Sequence, residues 1–199
     1  MAISRASNSS IQGGLPKFND IWDGTTATSA FDTLGVAFAS TAVSSITFSN
    51  IPQTYTHLQL RSFITQGTGG SSTGSDTFNT GRFNSDSGSN YISHAILGDG
   101  ASATASVTSA SSTSMWFGIC PTGATSSFNT NIIDILDYSS TNKNKTVRGF
   151  LGHDRNGAGV IVLQSVLWMN SASGINSMTI FATAGNFSIN SHFALYGIK

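Results

Sequence analysis

The stretch "GVIVLQSVLWM" (residues 159–169) decides the fold class of this chain. Successive residues of a strand point to opposite sides of a sheet, so the stretch has two faces. Both faces are apolar, with Val160, Val162, Val166 and Trp168 on one and Ile161, Leu163, Leu167 and Met169 on the other. In a two-layer sandwich only one face of each sheet meets the core. The second face therefore predicts a cover, supplied by an N-terminal arm, a long loop or a second subunit.

Alternating runs of the same kind recur along the chain, as in "SSITFSNI" (44–51) and "THLQLRSFI" (56–64). No stretch of helical length shows a period of 3.6 residues. About nine or ten strands at a spacing of roughly 10 to 15 residues indicate an all-β sandwich or barrel. Within this pattern "GRFNSDSGSNYISHAILGDG" (81–100) predicts a hairpin that turns at "SDSGSN", and "ASATASVTSASST" (101–113) predicts an exposed loop.

Residues 1–40 differ from the rest, because large apolar side chains are sparse there and follow neither period. One interpretation is a flexible leader. The other is an extended arm that folds on contact with another surface. Its predicted anchors are Ile11, Leu15, Phe18 and Trp22. We therefore predict an attachment arm over residues 1–40 and a β-sandwich domain over residues 41–199.

The composition excludes several classes of function. The net charge is zero and only 9% of the residues are charged, whereas binding to nucleic acid needs an excess of Lys and Arg. No apolar run is long enough to span a membrane, and the N-terminus lacks the apolar core of a signal peptide. The sequence thus predicts synthesis in a cytoplasm without export by that route. The single cysteine, Cys120, is predicted to be a small buried hydrophobe.

The sequence offers only poorly matching candidates for a catalytic or metal-binding site. The four histidines, at positions 57, 94, 153 and 192, have no metal-ligand spacing. The "DSGSN" stretch from Asp86 to Asn90 resembles a calcium loop only loosely, because it lacks the further acids and the bidentate Glu. We predict no catalytic, cofactor-binding or metal site. Four aromatic residues are candidates for stacking on sugar rings, although core or interface positions are more typical of them: Tyr55, Tyr91, Trp116 and Trp168.

The chain closes on "AGNFSINSHFALYGIK" (184–199), whose last strand is also apolar on both sides. Phe193 and Leu195 share one face, and Tyr196 and Ile198 lie on the other. Combined with the second face of residues 159–169, this predicts an oligomer with sheet faces at the interface. The candidate interface residues are Ile161, Leu163, Leu167, Tyr196 and Ile198.

Several stretches resemble a family of small virion structural proteins of tailed bacteriophages, of the capsid decoration (cement), head-fibre or tail-fibre type. They are "NSSIQGGLPKF" (8–18), "ITFSNIPQTYTHLQLR" (46–61), "RFNSDSGSNY" (82–91), "ILDYSSTNKNKTVRG" (135–149) and the closing stretch. The pair "IPQTYTHLQLR" and "FALYGIK" carries most of the specificity. The resemblance implies a jelly-roll-like antiparallel β-sandwich, a homotrimer, an N-terminal arm attached to the particle, and no enzyme activity or cofactor.

The function expected from these observations is that of a capsid decoration or cement protein located in the virion, with the major capsid protein as its partner. The alternative is a tail-fibre or adaptor component that binds a receptor glycan through its Gly/Ser loops. A third interpretation, a polysaccharide hydrolase, lacks a credible acid–base pair.

Overall fold

Twelve strands account for the regular structure of the computed structural model, which describes residues 30–67, 76–107, 112–122, 127–154, 159–183 and 185–199. No helix occurs within those ranges. The strands are β1 (Phe31–Phe38), β2 (Ser45–Phe48), β3 (His57–Ile64), β4 (Asp76–Phe83), β5 (Tyr91–Gly98), β6 (Ala103–Val107), β7 (Met115–Pro121), β8 (Asn129–Leu136), β9 (Lys145–Asp154), β10 (Gly159–Trp168), β11 (Met178–Phe181) and β12 (His192–Ile198).

The strands form two antiparallel sheets. One has eight strands in the order β1-β12-β3-β8-β9-β10-β5-β6, and the other has four in the order β2-β11-β4-β7. The all-β prediction is confirmed, and two sheets around one core favour the sandwich over the barrel. The jelly-roll path that the resemblance implies is not confirmed by this strand order.

The core lies between the two sheets. Strand β7 of the small sheet faces β5, β8, β9 and β10 of the large one. Phe83 of the small sheet and Trp168 of the large sheet have ring centroids 5.5 Å apart across the core. Both side chains are fully buried, as are Leu58 and Leu60 of β3 and Ile133 of β8. Each such residue contributes about 1.5–3 kcal/mol through the surface it removes from water, so the sandwich is held chiefly by these inward-facing positions.

The edge strands of the large sheet, β1 and β6, are the two that the alternation pattern did not predict. The compact body of the protein begins at Asp32, rather than at residue 41, because residues 31–38 pair with β12. The predicted exposed loop 101–113 contains β6, which pairs with β5 from Gly98↔Ala103 to His94↔Val107. An edge strand pairs on one side only, so neither segment needs the strong apolar alternation of an internal strand.

The predicted hairpin over residues 81–100 is wrong. Strand β4 pairs with β7 and β11 in the small sheet, whereas β5 pairs with β10 and β6 in the large one. Asn84 and Ser85 have φ angles of 50° and 57° and close a tight turn in which Asp86 N donates to Phe83 O at 2.8 Å. The remaining turn residues give the chain enough length to cross to the other sheet.

The two most specific stretches of the resemblance come together in the fold. Strand β12 is internal and pairs with β3 from His192↔Phe63 to Ile198↔His57. Tyr55, just before β3, packs its ring on Gly197 of β12, where a Cβ atom would lie 2.5 Å from the ring. The Tyr55 hydroxyl donates to Asp32 Oδ2 at 3.0 Å. The "IPQTY" and "LYGIK" stretches thus form one packing unit at the edge of the large sheet.

Candidate interaction surface

The outer face, defined as the side of the eight-stranded sheet turned away from the four-stranded sheet, carries exposed apolar side chains. In β10, Val162 and Val166 are buried in the core, whereas Ile161 and Leu163 are exposed. This confirms the prediction that residues 159–169 are apolar on both faces. The same alternation in β5, β8 and β9 turns further large apolar side chains outward.

Four of these side chains form a continuous line across adjacent strands, the apolar row. The antiparallel register sets Ile132 beside Phe150, Phe150 beside Leu163, and Leu163 beside Ile96. Their exposed fractions are 61% for Ile96, 56% for Leu163, 51% for Phe150 and 37% for Ile132. Singly exposed hydrophobes are normal on protein surfaces, whereas contiguous apolar patches are typical of interaction sites.

A second line, the glycine row, runs parallel to the apolar row two residues further along each strand. It consists of Thr130, Gly152, Ile161 and Gly98 in register. Small residues on either side of Ile161 leave a depression of about 590 Å³, lined by members of both rows. The outer face therefore presents a ridge of large side chains next to a trough.

Charged groups border the two rows. Arg148 and Asp154 are exposed at opposite ends of the outward-facing positions of β9. Asp134 lies beside Arg148 in the register and accepts a hydrogen bond from Gln59 Nε2 at 2.7 Å. Arg61 Nε donates in turn to Gln59 Oε1, also at 2.7 Å. The border contains both signs of charge, so it gives the face no net attraction for phosphate groups.

The predicted interface residues divide into two groups. Ile161 and Leu163 lie at the centre of the outer face, whereas Leu167, Tyr196 and Ile198 are half-buried. Tyr196 is partly covered by the Arg61 guanidinium, which lies 5.5 Å from its ring centroid. Leu167 lies on β10 with Ile161 and Leu163, whereas strands β3, β8 and β9 separate β10 from β12. The structure therefore does not bring Tyr196 and Ile198 together with the residues of β10. The predicted arm anchors, Ile11, Leu15, Phe18 and Trp22, lie outside the described residues.

Ile96, Ile132 and Phe150 were missed as interface candidates. Each belongs to an apolar pair of consecutive residues: "IL" at 96–97, "II" at 132–133 and "FL" at 150–151. Consecutive residues of a strand face opposite ways, so such a pair predicts an apolar second face. The same signal that predicts a second apolar face for β10 and the terminal strand therefore extends to β5, β8 and β9.

The remaining candidates for chemistry do not assemble into a site. Among the described residues, no three His, Cys or Asp side chains are grouped so that they could hold a metal ion. His57 Nδ1 accepts a hydrogen bond from the backbone N–H of Asp137 at 3.0 Å. His153 Nε2 lies 3.0 Å from Asp76 Oδ1. Cys120 is fully buried, as predicted, and burial raises the pKa of its thiol to about 12, which suppresses the reactive thiolate.

The loop that resembles a calcium site uses its carboxylate internally. Asp86 Oδ2 accepts hydrogen bonds from Trp168 Nε1 at 2.8 Å and Asn90 Nδ2 at 2.9 Å, and Oδ1 accepts one from the backbone N–H of Gly88 at 2.8 Å. Asp86 therefore ties the turn to the core. Among the aromatic candidates for sugar stacking, Tyr91 and Trp168 are fully buried. The ring of Trp116 stacks on Phe78, with centroids 4.3 Å apart.

Comparison with known proteins adds no relative. No protein-family model, curated protein or solved structure matches the chain. The part of the chain that the structure describes contains no helix with the length and hydropathy needed to span a bilayer. The outer face is consequently the feature that says most about what the protein does.

Proposed function

We propose that the chain is a non-enzymatic structural protein of a bacteriophage virion, a capsid decoration or cement protein. The observation that carries this proposal is the outer face. Four neighbouring strands expose Ile96, Ile132, Phe150 and Leu163 in one line. A contiguous apolar surface is typical of a subunit of an assembly. The phage context rests on the resemblance of the sequence stretches.

The charge of the chain supports a role in a crowded assembly. Its net charge is zero, so copies that lie side by side on a particle repel one another little. The charged border of the outer face carries Asp134 and Asp154 as well as Arg61 and Arg148. A surface with balanced charge favours protein over nucleic acid as its partner.

Attachment is assigned to residues 1–40, with Ile11, Leu15, Phe18 and Trp22 as the anchors and the major capsid protein as the partner. A ligand that binds only the assembled shell stabilises it by mass action, by an amount that grows with the ratio of its concentration to its dissociation constant. The chain would therefore raise the temperature at which particles release their DNA, without catalysing any reaction.

The test uses particles of the encoding phage from which the gene has been deleted. Purified full-length chain is expected to bind them saturably, with hundreds of copies per particle by quantitative mass spectrometry, and to raise the temperature of DNA release. A chain without residues 1–25 is expected to keep its unfolding temperature but to lose binding.

Point variants distinguish the effect of losing the anchor side chains from the effect of shortening the segment. Replacement of all four anchors by Ser is expected to abolish binding. The matched control replaces four polar residues of the same segment by Ser: Asn8, Gln12, Lys17 and Asn19. Binding that survives the loss of residues 1–25 would refute the arm. A copy number of tens or fewer would instead place the protein in the tail, as in the receptor-binding alternative.

A further inference from the structure

We propose that the outer face pairs with the outer face of a second copy about a twofold axis that runs across the strands, between the apolar row and the glycine row. This pairing involves the β-sandwich domain alone and does not depend on attachment to a particle. The partner on this face is a second copy of this chain, and the test distinguishes it from the arm and from other proteins.

The two rows are complementary in shape. Each row holds one residue from each of β5, β8, β9 and β10, and the two rows lie two residues apart on every strand. Rotation about the proposed axis sets the apolar row of one copy over the glycine row of the other. Phe150 then lies over Gly152 of the second copy, and Ile96 lies over its Gly98. A ridge that meets a trough is the complementarity that close-packed interfaces require.

Strand β10 lies at the centre of this arrangement and contributes a large side chain to both rows. Leu163 of one copy meets Ile161 of the other, and by symmetry Ile161 meets Leu163. Both side chains are more than half exposed in the single chain, at 56% and 52%. Their mutual burial supplies apolar contact where an interface core is least accessible to water.

The charges along β9 are complementary about the same axis. Along β9 the outward-facing residues are Arg148, Phe150, Gly152 and Asp154. The proposed axis passes beside Leu151, which is three residues from both Arg148 and Asp154. Rotation therefore sets Arg148 of each copy opposite Asp154 of the other. Opposite charges at both ends of one strand make the face complementary to itself.

The area of the outer face is sufficient for a stable dimer. Strands β3, β8, β9, β10, β5 and β6 are adjacent in the sheet. At about 4.8 Å between strands and about 3.4 Å per residue, they cover roughly 25 Å by 27 Å. Side chains that project from the sheet increase its surface area, so the area available for contact approaches the roughly 800 Å² per partner found in stable complexes. An isologous contact of this kind closes at two copies, whereas the resemblance implies three.

The test is the molar mass of the full-length chain in solution. Light scattering and analytical ultracentrifugation at micromolar concentration are expected to give twice the chain mass of 20.7 kDa. Leu163→Lys is expected to weaken association at least about 100-fold, because a twofold interface buries the new charge twice. The matched control, Ser87→Lys, adds the same charge at an exposed turn position away from the face and is expected to leave the dimer unchanged.

Two further variants test the register. Gly98→Val fills the trough and suits a strand, since a Cβ at this position lies 3.6 Å from Ile161 Cγ2 in ordinary contact. It is expected to dissociate the dimer while the monomer keeps the native circular dichroism spectrum. Arg148→Asp alone is expected to weaken association about 10-fold. The double variant Arg148→Asp, Asp154→Arg is expected to return it to within about 3-fold of the native value.

Several results would overturn the proposal. A native chain that is monomeric at tens of micromolar would do so, as would a mass of three chains. If Ser87→Lys dissociated the dimer as strongly as Leu163→Lys, the outer face would not be the interface. If the double variant Arg148→Asp, Asp154→Arg associated no more tightly than Arg148→Asp alone, the proposed axis would be refuted.

Discussion

Gly197 lies beneath the ring of Tyr55, and this contact gives a physical reason for a glycine inside an otherwise bulky strand. A Cβ at position 197 would lie 2.5 to 2.7 Å from three ring atoms of Tyr55, closer than real side-chain atoms approach. The glycine lets the ring cover the backbone of β12, and the Tyr55 hydroxyl reaches Asp32 at the same edge. The residue therefore acts through close packing.

Gly197→Ala is expected to destabilise the protein by about 1–3 kcal/mol, because the ring must move to admit the methyl group. For a chain of this size each kcal/mol lowers the unfolding temperature by about 2–4 °C. Ser87→Ala is the control, since position 87 is exposed and lies away from the ring and from the outer face. Thermal unfolding of the two variants measures the difference. Equal unfolding temperatures would show that the ring is not packed against the strand.

Asp86 is expected to make stability depend on pH. Burial raises the pKa of its carboxyl, but hydrogen bonds from Asn90, Trp168 and the Gly88 N–H outweigh burial and hold it below 3.8. The folded chain thus binds the proton less readily than the unfolded chain. The resulting stabilisation is complete above the unfolded pKa and is lost as pH falls through the folded pKa.

Asp86→Asn is therefore expected to lower the free energy of unfolding by about 1.5–3 kcal/mol at neutral pH, and by less at a pH below about 3.9, the unfolded pKa of Asp. Urea unfolding at the two pH values measures both differences. Ser87→Ala, at the exposed neighbouring position, is expected to change stability by less than about 0.5 kcal/mol. A deficit of the same size at both pH values would contradict the assignment of the effect to the carboxylate.

Among the elements, the edge strands show why the limits of the body were hard to predict. Strand β1, "FDTLGVAF", carries Phe31, Val36 and Phe38 at exposed positions. Its register depends on backbone pairing with β12 and on a buried Ala39, whose N–H donates to Ser191 O at 2.9 Å. None of these partners is near it in sequence, so local alternation carries no sign of the strand.

Truncation tests whether β1 is integral to the body. A chain of residues 30–199 is expected to unfold at the temperature of the full-length protein. A chain of residues 41–199 loses β1 and Ala39, exposes the edge of β12, and is expected to lose about 3 kcal/mol or more, since each backbone hydrogen bond contributes about 0.5–1.5 kcal/mol. Circular dichroism during heating measures both. If the two truncated chains were equally stable, the body would begin near residue 41.

At the scale of the whole molecule, the protein has one core and a second apolar surface opposite it. Within the described residues, the large sheet buries one face against the small sheet and exposes the other. The side chains at the centre of that outer face are uncharged, and the charges lie at its border. Association through this face should accordingly behave as apolar burial with a minor electrostatic part.

The dissociation constant of the dimer is expected to change by less than about 5-fold between low and high sodium chloride, because salt screens the bordering charges but not the apolar contact. The heat capacity change of association is expected to be negative. Sedimentation over a salt series and dilution calorimetry at several temperatures measure the two quantities. A loss of affinity of 100-fold or more with salt would instead assign the interface to the charged border.

The all-β class, the faces of β10 and the burial of Cys120 were readable from the sequence, because strand alternation reports which side chains need burial. The partner with which each strand pairs was not readable from the sequence. The assignment of β4 and β5 to different sheets, the inclusion of β1 and β6, and the alignment of Ile132, Phe150, Leu163 and Ile96 all depend on pairing between residues far apart in the chain. Such pairing is settled only in the folded chain, because backbone hydrogen bonds fit any two strands equally well and the choice depends on how side chains far apart in the sequence pack together.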